Sequence, residues 1–108
     1  MMRIGYGEGT LLVGDGAARA LMTLAAIEAE DSTARSVHLA AIDSGGVLRE
    51  VDLLIGPATM MTTISESSEF DEPDNSAFEQ VVASIVRARH APVQPESQSP
   101  VDTAIDEI

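Results

Sequence analysis

The sequence predicts an α+β fold: a small, mainly antiparallel sheet of four or five strands, with two amphipathic helices packed on one face. Three observations carry that expectation. Two stretches alternate apolar and polar residues around glycine-rich turns. Two others repeat apolar residues at helical spacing. With only Tyr6, Phe70 and Phe78 as aromatics, the core must be aliphatic.

Residues 2–13 read as a hairpin: Ile4 and Tyr6 alternate with Arg3 and Gly5, Gly7-Glu8-Gly9 turns the chain, and Thr10-Leu11-Leu12-Val13 returns. Gly14-Asp15-Gly16 opens a helix with Asp15 as the expected N-cap. Ala17, Ala20, Leu21, Leu24 and Ile27 form its apolar face, and it fades by Asp31-Ser32. Glu28, Glu30 and Asp31 near its C-terminus oppose the helix dipole, a conflict that nearby Arg35 would relieve. Residues 35–55 form the clearest unit. Val37, Leu39 and Ala41 face one way, Asp43-Ser44-Gly45-Gly46 makes the turn, and Val51, Leu53 and Ile55 return on the same face. Gly56-Pro57 ends that strand, Ala58 to Met61 fits a helical turn, and Thr62-Thr63-Ile64 a short edge strand. Ser76-Ala77-Phe78-Glu79 fits a capping box for a second helix with Phe78, Val81, Val82, Ile85 and Val86 on one side. The expected order is ββαββ(β)α, as one domain over 1–90. Residues 91–108, rich in Pro, Gln, Ser and acids, read as a disordered acidic tail.

The chain has 108 residues, 18 acidic side chains, six Arg and no Lys, for a formal net charge of −12. Half of the acids fall in two segments without a basic residue, 66–74 and 91–108. The rest of the chain is only mildly acidic, so the charge belongs to one loop and one tail. This balance argues against nucleic acid and anionic membrane surfaces, which both need Lys and Arg. With no cysteine, disulfides, thiolate metal sites and Cys nucleophiles are excluded. The longest uncharged stretch, Leu53 to Ser65, falls short of a membrane span of about 20 residues. A cytoplasmic protein is the expectation, and no cofactor is implied.

Few residues suggest chemistry. Gly5-Tyr6-Gly7-Glu8-Gly9 lacks the following helix of a phosphate loop and reads as a turn. The acids of 66–74 lack the glycine and ligand spacing of a calcium loop. His38 falls on the polar face beside Glu50 or Asp52. That arrangement suits a general base or metal ligand, or simply a solvated cross-strand pair. Met60 and Met61 beside Glu69, Asp71 and Glu72 offer an adaptable, acidic contact surface. Val101, Ala104, Ile105 and Ile108 fit the stripe of a short helix laid in a partner's groove. The candidate partner-binding residues are therefore Val101, Ile105, Ile108, Glu69, Asp71, Glu72, Met60 and Met61.

The expected function is a non-enzymatic protein-binding or accessory module, with a protein partner or self-association as a homodimer. One alternative is an acidic inhibitor that mimics nucleic acid in a basic groove. Another is a small hydrolase or metal enzyme centred on His38.

Overall fold

The computed structural model describes residues 1–90, and the expected tail, with Val101, Ile105 and Ile108, lies outside the described residues. Two hairpins set the sheet. Strands β1 (Met2–Tyr6) and β2 (Gly9–Val13) pair antiparallel with Tyr6 opposite Gly9, which leaves only Gly7 and Glu8 to turn the chain. Such a turn needs a positive φ, and Gly7 supplies +63°. Strands β3 (Arg35–Ile42) and β4 (Leu48–Ile55) pair along their whole length. Their connecting loop is tied by the Asp43 carboxylate, which accepts from the amides of Gly45 (2.9 Å) and Val47 (3.0 Å) and from Arg49 Nε (2.7 Å). Strand β5 (Met61–Ser65) pairs with β1. The result is one antiparallel five-stranded sheet in the order β4-β3-β2-β1-β5. The expected helical turn at 58–61 is instead a turn closed by the Thr59 amide on the Gly56 carbonyl (3.1 Å). Met61 opens β5 because its backbone lies along β1, opposite Tyr6.

The two edge strands, β4 and β5, are separated by only five residues, Gly56–Met60. In a flat sheet, four interstrand spacings would hold them roughly 19 Å apart. A connection containing a turn does not reach that far, so the sheet curls. The Tyr6 hydroxyl, on β1, donates to the Leu54 carbonyl on β4 across the concave side.

That side is filled by helices α1 (Asp15–Asp31) and α2 (Ser76–His90). Ile4, Val13, Val37, Leu39, Leu53 and Ile55 from the strands meet Ala17, Leu21, Leu24, Phe78 and Val82 from the helices. Each large aliphatic side chain buried there contributes about 1.5–3 kcal/mol. The α1 stripe is rotated from expectation: Ala18 and Glu28 are buried, while Ala20 and Ile27 are only half-buried.

Both expected helix caps differ from the structure. Gly14, not Asp15, occupies the N-cap of α1, and no side chain bonds to the free amides. Asp15 turns instead to the Met1 ammonium, 3.0 Å away. The carboxylates of Glu72 and Glu79 lie in the spaces that β-carbons on Gly14 and Gly16 would fill. The positive end of the helix is thus faced by acids from elsewhere in the chain. At α2, Asn75 precedes the helix and its carbonyl accepts from the Glu79 amide (2.9 Å). Its side chain does not cap. It leaves the helix and reaches β3, while Asp74 Oδ1 accepts from the Ser76 amide (3.0 Å) and hydroxyl (2.8 Å).

The conflict at the end of α1 is relieved as expected. Glu28 is buried, accepts from Arg35 Nε at 3.0 Å, and accepts from the Thr33 hydroxyl. These bonds, Thr33 foremost, hold its carboxyl below the usual range despite burial. Arg89 of α2 adds bonds to Glu30 (2.6 Å) and Asp31 (2.8 Å). Because the folded pKa of Glu28 is depressed, its contribution is present above the unfolded carboxyl pKa and fades as pH falls through the folded value. Urea midpoints of Glu28→Gln and the parent should therefore differ at neutral pH and converge in acid.

The bonds between Asn75 and β3 define the second test. Asn75→Ala would remove these partners from the half-buried Ala40 amide and carbonyl, at a cost of about 1–3 kcal/mol. Urea denaturation should show that loss with an unchanged slope.

Candidate functional site

Strand β2 touches β3 through one pair only, Leu12 opposite Ile42. Among the described residues, the remaining length of β3 is flanked by β4 on one side and by no strand on the other. The direction of its backbone groups follows from two observations. The Asp43 amide bonds to the Val47 carbonyl across the hairpin (2.9 Å), so the odd-numbered residues of β3 bond to β4. The even-numbered residues, Ser36, His38 and Ala40, point their amides and carbonyls away from it. Ala40 is satisfied by Asn75: its amide donates to Oδ1 (2.7 Å), and its carbonyl accepts from Nδ2 (2.8 Å). The Asn75 amide thus imitates one residue of a neighbouring strand. Among the described residues, Ser36 and His38 have no comparable partner.

Beside this edge runs α2. Between them lies a cavity of about 300 Å³, lined by Leu24, Arg35, Ser36, Val37 and His38 on one side and Ala77, Phe78, Val81, Val82 and Ile85 on the other. Val81 is half exposed there. A helix, an uncovered strand edge and an apolar floor together form a groove.

His38 stands at the rim of the groove. Its side chain lies on the convex face of the sheet, directly opposite Asp52. Nδ1 lies 2.7 Å from Asp52 Oδ1 and Nε2 lies 2.8 Å from Glu50 Oε1, so both expected carboxylates engage the ring. The bond to Asp52, followed by that to Glu50, raises the His38 pKa above its ordinary value. With an acceptor on each nitrogen, the doubly protonated ring is favoured. That form has no free lone pair for a metal or for accepting a proton. Among the described residues, no cluster of three or more His, Asp or Glu could hold a metal ion.

The other sequence-derived candidates do not converge on one place. Met60 is exposed beside the Tyr6–Gly7 turn, whereas Met61 is half-buried and packs against the core. The acidic segment is anchored rather than simply solvated. Glu66 makes two bonds to Arg3 (2.8 and 2.6 Å), and Phe70 lies against Gly46. Residues 66–70 lie over Leu12 on the convex face. Glu69 and Asp71 are exposed, while Glu72 lies against Gly14 at the start of α1. Val101, Ile105 and Ile108 lie outside the described residues. Among the described residues no helix is long and apolar enough to cross a membrane.

Sequence reasoning missed Ser36, Val81 and Asn75. Val81 was legible as part of an amphipathic stripe. Nothing local marks Ser36 as an open edge, because that depends on where β2 ends. The chain matches no protein-family model, no curated protein and no solved structure.

The His38 arrangement gives a pH test. A raised folded pKa stabilises the fold fully below the unfolded His pKa, and the contribution is lost as pH rises through the folded value. In urea titrations, the parent should exceed His38→Gln in stability at mildly acidic pH. The gap should close as pH climbs above neutrality. A gap constant with pH would refute the charged bridge.

Proposed function

We propose that this chain is a non-enzymatic protein-binding module that takes an extended segment of a partner protein into the groove between β3 and α2. The observation that carries this reading is the outward-facing backbone of Ser36 and His38 beside an apolar floor. Backbone groups at a sheet edge pair readily with another chain, and natural proteins cover or charge such edges. Here Asn75 covers Ala40 and leaves the two residues before it. A strand added at this edge would gain main-chain hydrogen bonds. Every second side chain would turn toward Phe78, Val81 and Val82. The segment recognised is therefore one with apolar residues at alternate positions.

The probe is a phage-displayed library of random linear peptides, selected against the full chain. Two variants separate the groove from other surfaces. Ser36→Pro removes an outward amide without touching the β3–β4 ladder, because Pro is tolerated where the N–H faces away from the neighbouring strand. Val81→Glu places a charge in the apolar floor. Selected peptides should share alternating apolar residues, and each variant should weaken their binding about tenfold or more, equivalent to about 1.4 kcal/mol. Circular dichroism should show both variants folded. Peptides that bind parent and variants alike, or a selection that recovers none, would overturn the reading.

A further inference from the structure

Among the described residues the sheet has two true edges, β4 and β5, and they differ in chemistry. The β3–β4 register turns the free backbone groups of β4 outward at Leu48, Glu50, Asp52 and Leu54. If two copies met there about Val51, Glu50 of each would face Asp52 of the other. Like charges directly opposite one another destabilise strand pairing. The Leu54 carbonyl is already taken by the Tyr6 hydroxyl. The β4 edge is therefore guarded.

Strand β5 carries no charge: its sequence is Met61-Thr62-Thr63-Ile64-Ser65. The Glu66 amide bonds to the Met1 carbonyl (3.0 Å), which fixes the parity of the β1–β5 ladder. Thr62 and Ile64 bond inward to β1, while Met61, Thr63 and Ser65 point amides and carbonyls outward. Among the described residues nothing pairs with them. Three outward residues centred on Thr63 form a self-complementary edge. In an antiparallel pair about Thr63, Thr63 meets its own copy, and Met61 of each chain meets Ser65 of the other. All six outward amides find carbonyls. Thr62 of one chain then faces Ile64 of the other, a β-branched pair of the kind that stabilises adjacent strands. No acid faces an acid in this register.

The surroundings agree. Ile64 is 65 % exposed on the convex side, and Met22 of α1 is partly exposed on the concave side, in a depression shared with Met2, Arg19 and Thr63. That depression contains no acidic residue. Pairing at this edge therefore brings no two acids face to face in the depression.

We infer that the occupant of the β5 edge is a second copy of this chain, joined by antiparallel β5–β5 pairing about a twofold axis at Thr63 into a continuous ten-stranded sheet. The inference uses a different edge from the β3–α2 groove, and either can fail alone.

Sedimentation equilibrium on the full chain, over about 1 µM to about 1 mM, tests it. The parent should approach twice the 11.3 kDa mass of one chain. Thr63→Pro should remain at the single mass, because its outward N–H is lost while the ladder to β1 is kept. Amide exchange on the unmutated chain gives a second reading that needs no variant. Protection at Met61, Thr63 and Ser65 should rise by about tenfold or more with concentration, while Thr62 and Ile64 stay protected throughout. A parent at the single mass over the whole range would overturn the inference. A dimer that persists in Thr63→Pro, or three amides that stay unprotected where the parent is dimeric, would do the same.

Discussion

The organisation of this molecule depends on a mismatch of strand lengths. Strand β3 has eight residues, and β2 reaches only the last of them, Ile42. Backbone amides and carbonyls are obligatory hydrogen-bonding groups, so the uncovered part of β3 must find partners outside the sheet. Asn75 is the first. Its carboxamide offers an acceptor and a donor in the spacing of a peptide group, and it takes both backbone groups of Ala40. The residue just before α2 is thereby fixed against β3, which sets where the helix starts and which strand it runs beside. The groove follows from the same contact, since α2 is held next to an edge that it does not itself satisfy.

Electrostatics in this chain follow the architecture rather than the bulk charge. The acids at the end of α1 face an unfavourable dipole, and Arg35 from β3 and Arg89 from α2 converge on them. Arg3 grips Glu66 through two nitrogens and pins the start of the acidic segment to β1. Exposed pairs of this kind add little stability singly. Their value is positional, because each joins elements that are distant in sequence. Among the described residues, Glu72 and Glu79, which have no basic partner, lie around the start of α1. The two open backbone edges, at β3 and β5, carry no acid of their own.

The two convex-face clusters illustrate how similar residues take different roles. His38 between Glu50 and Asp52 is a closed arrangement, since both ring nitrogens already have acceptors and the charge is shared locally. Residues 66–70 instead act as a cover. Leu12 is buried on the face away from the helices, and the acidic segment lies beside it. A stretch whose composition suggests only solubility therefore has a packing role.

The sequence by itself determined the hairpins, the helices and the polar and apolar faces of β3 and β4, because period-two and helical spacings are local properties. It also placed His38 opposite its carboxylates, since a tight hairpin turn fixes register over many residues. Only the tertiary structure decided the caps, the strand order and the groove. Asp15 and Asn75 are good capping residues locally, yet one pairs with the Met1 ammonium and the other serves a strand edge. Side chains with hydrogen-bonding groups go wherever the unmet demand is greatest, and that demand arises only once strands are assembled. Ser36 and Thr63 look like ordinary polar strand residues in the sequence. They become open edges because, among the described residues, no strand lies on the side to which their backbone groups point.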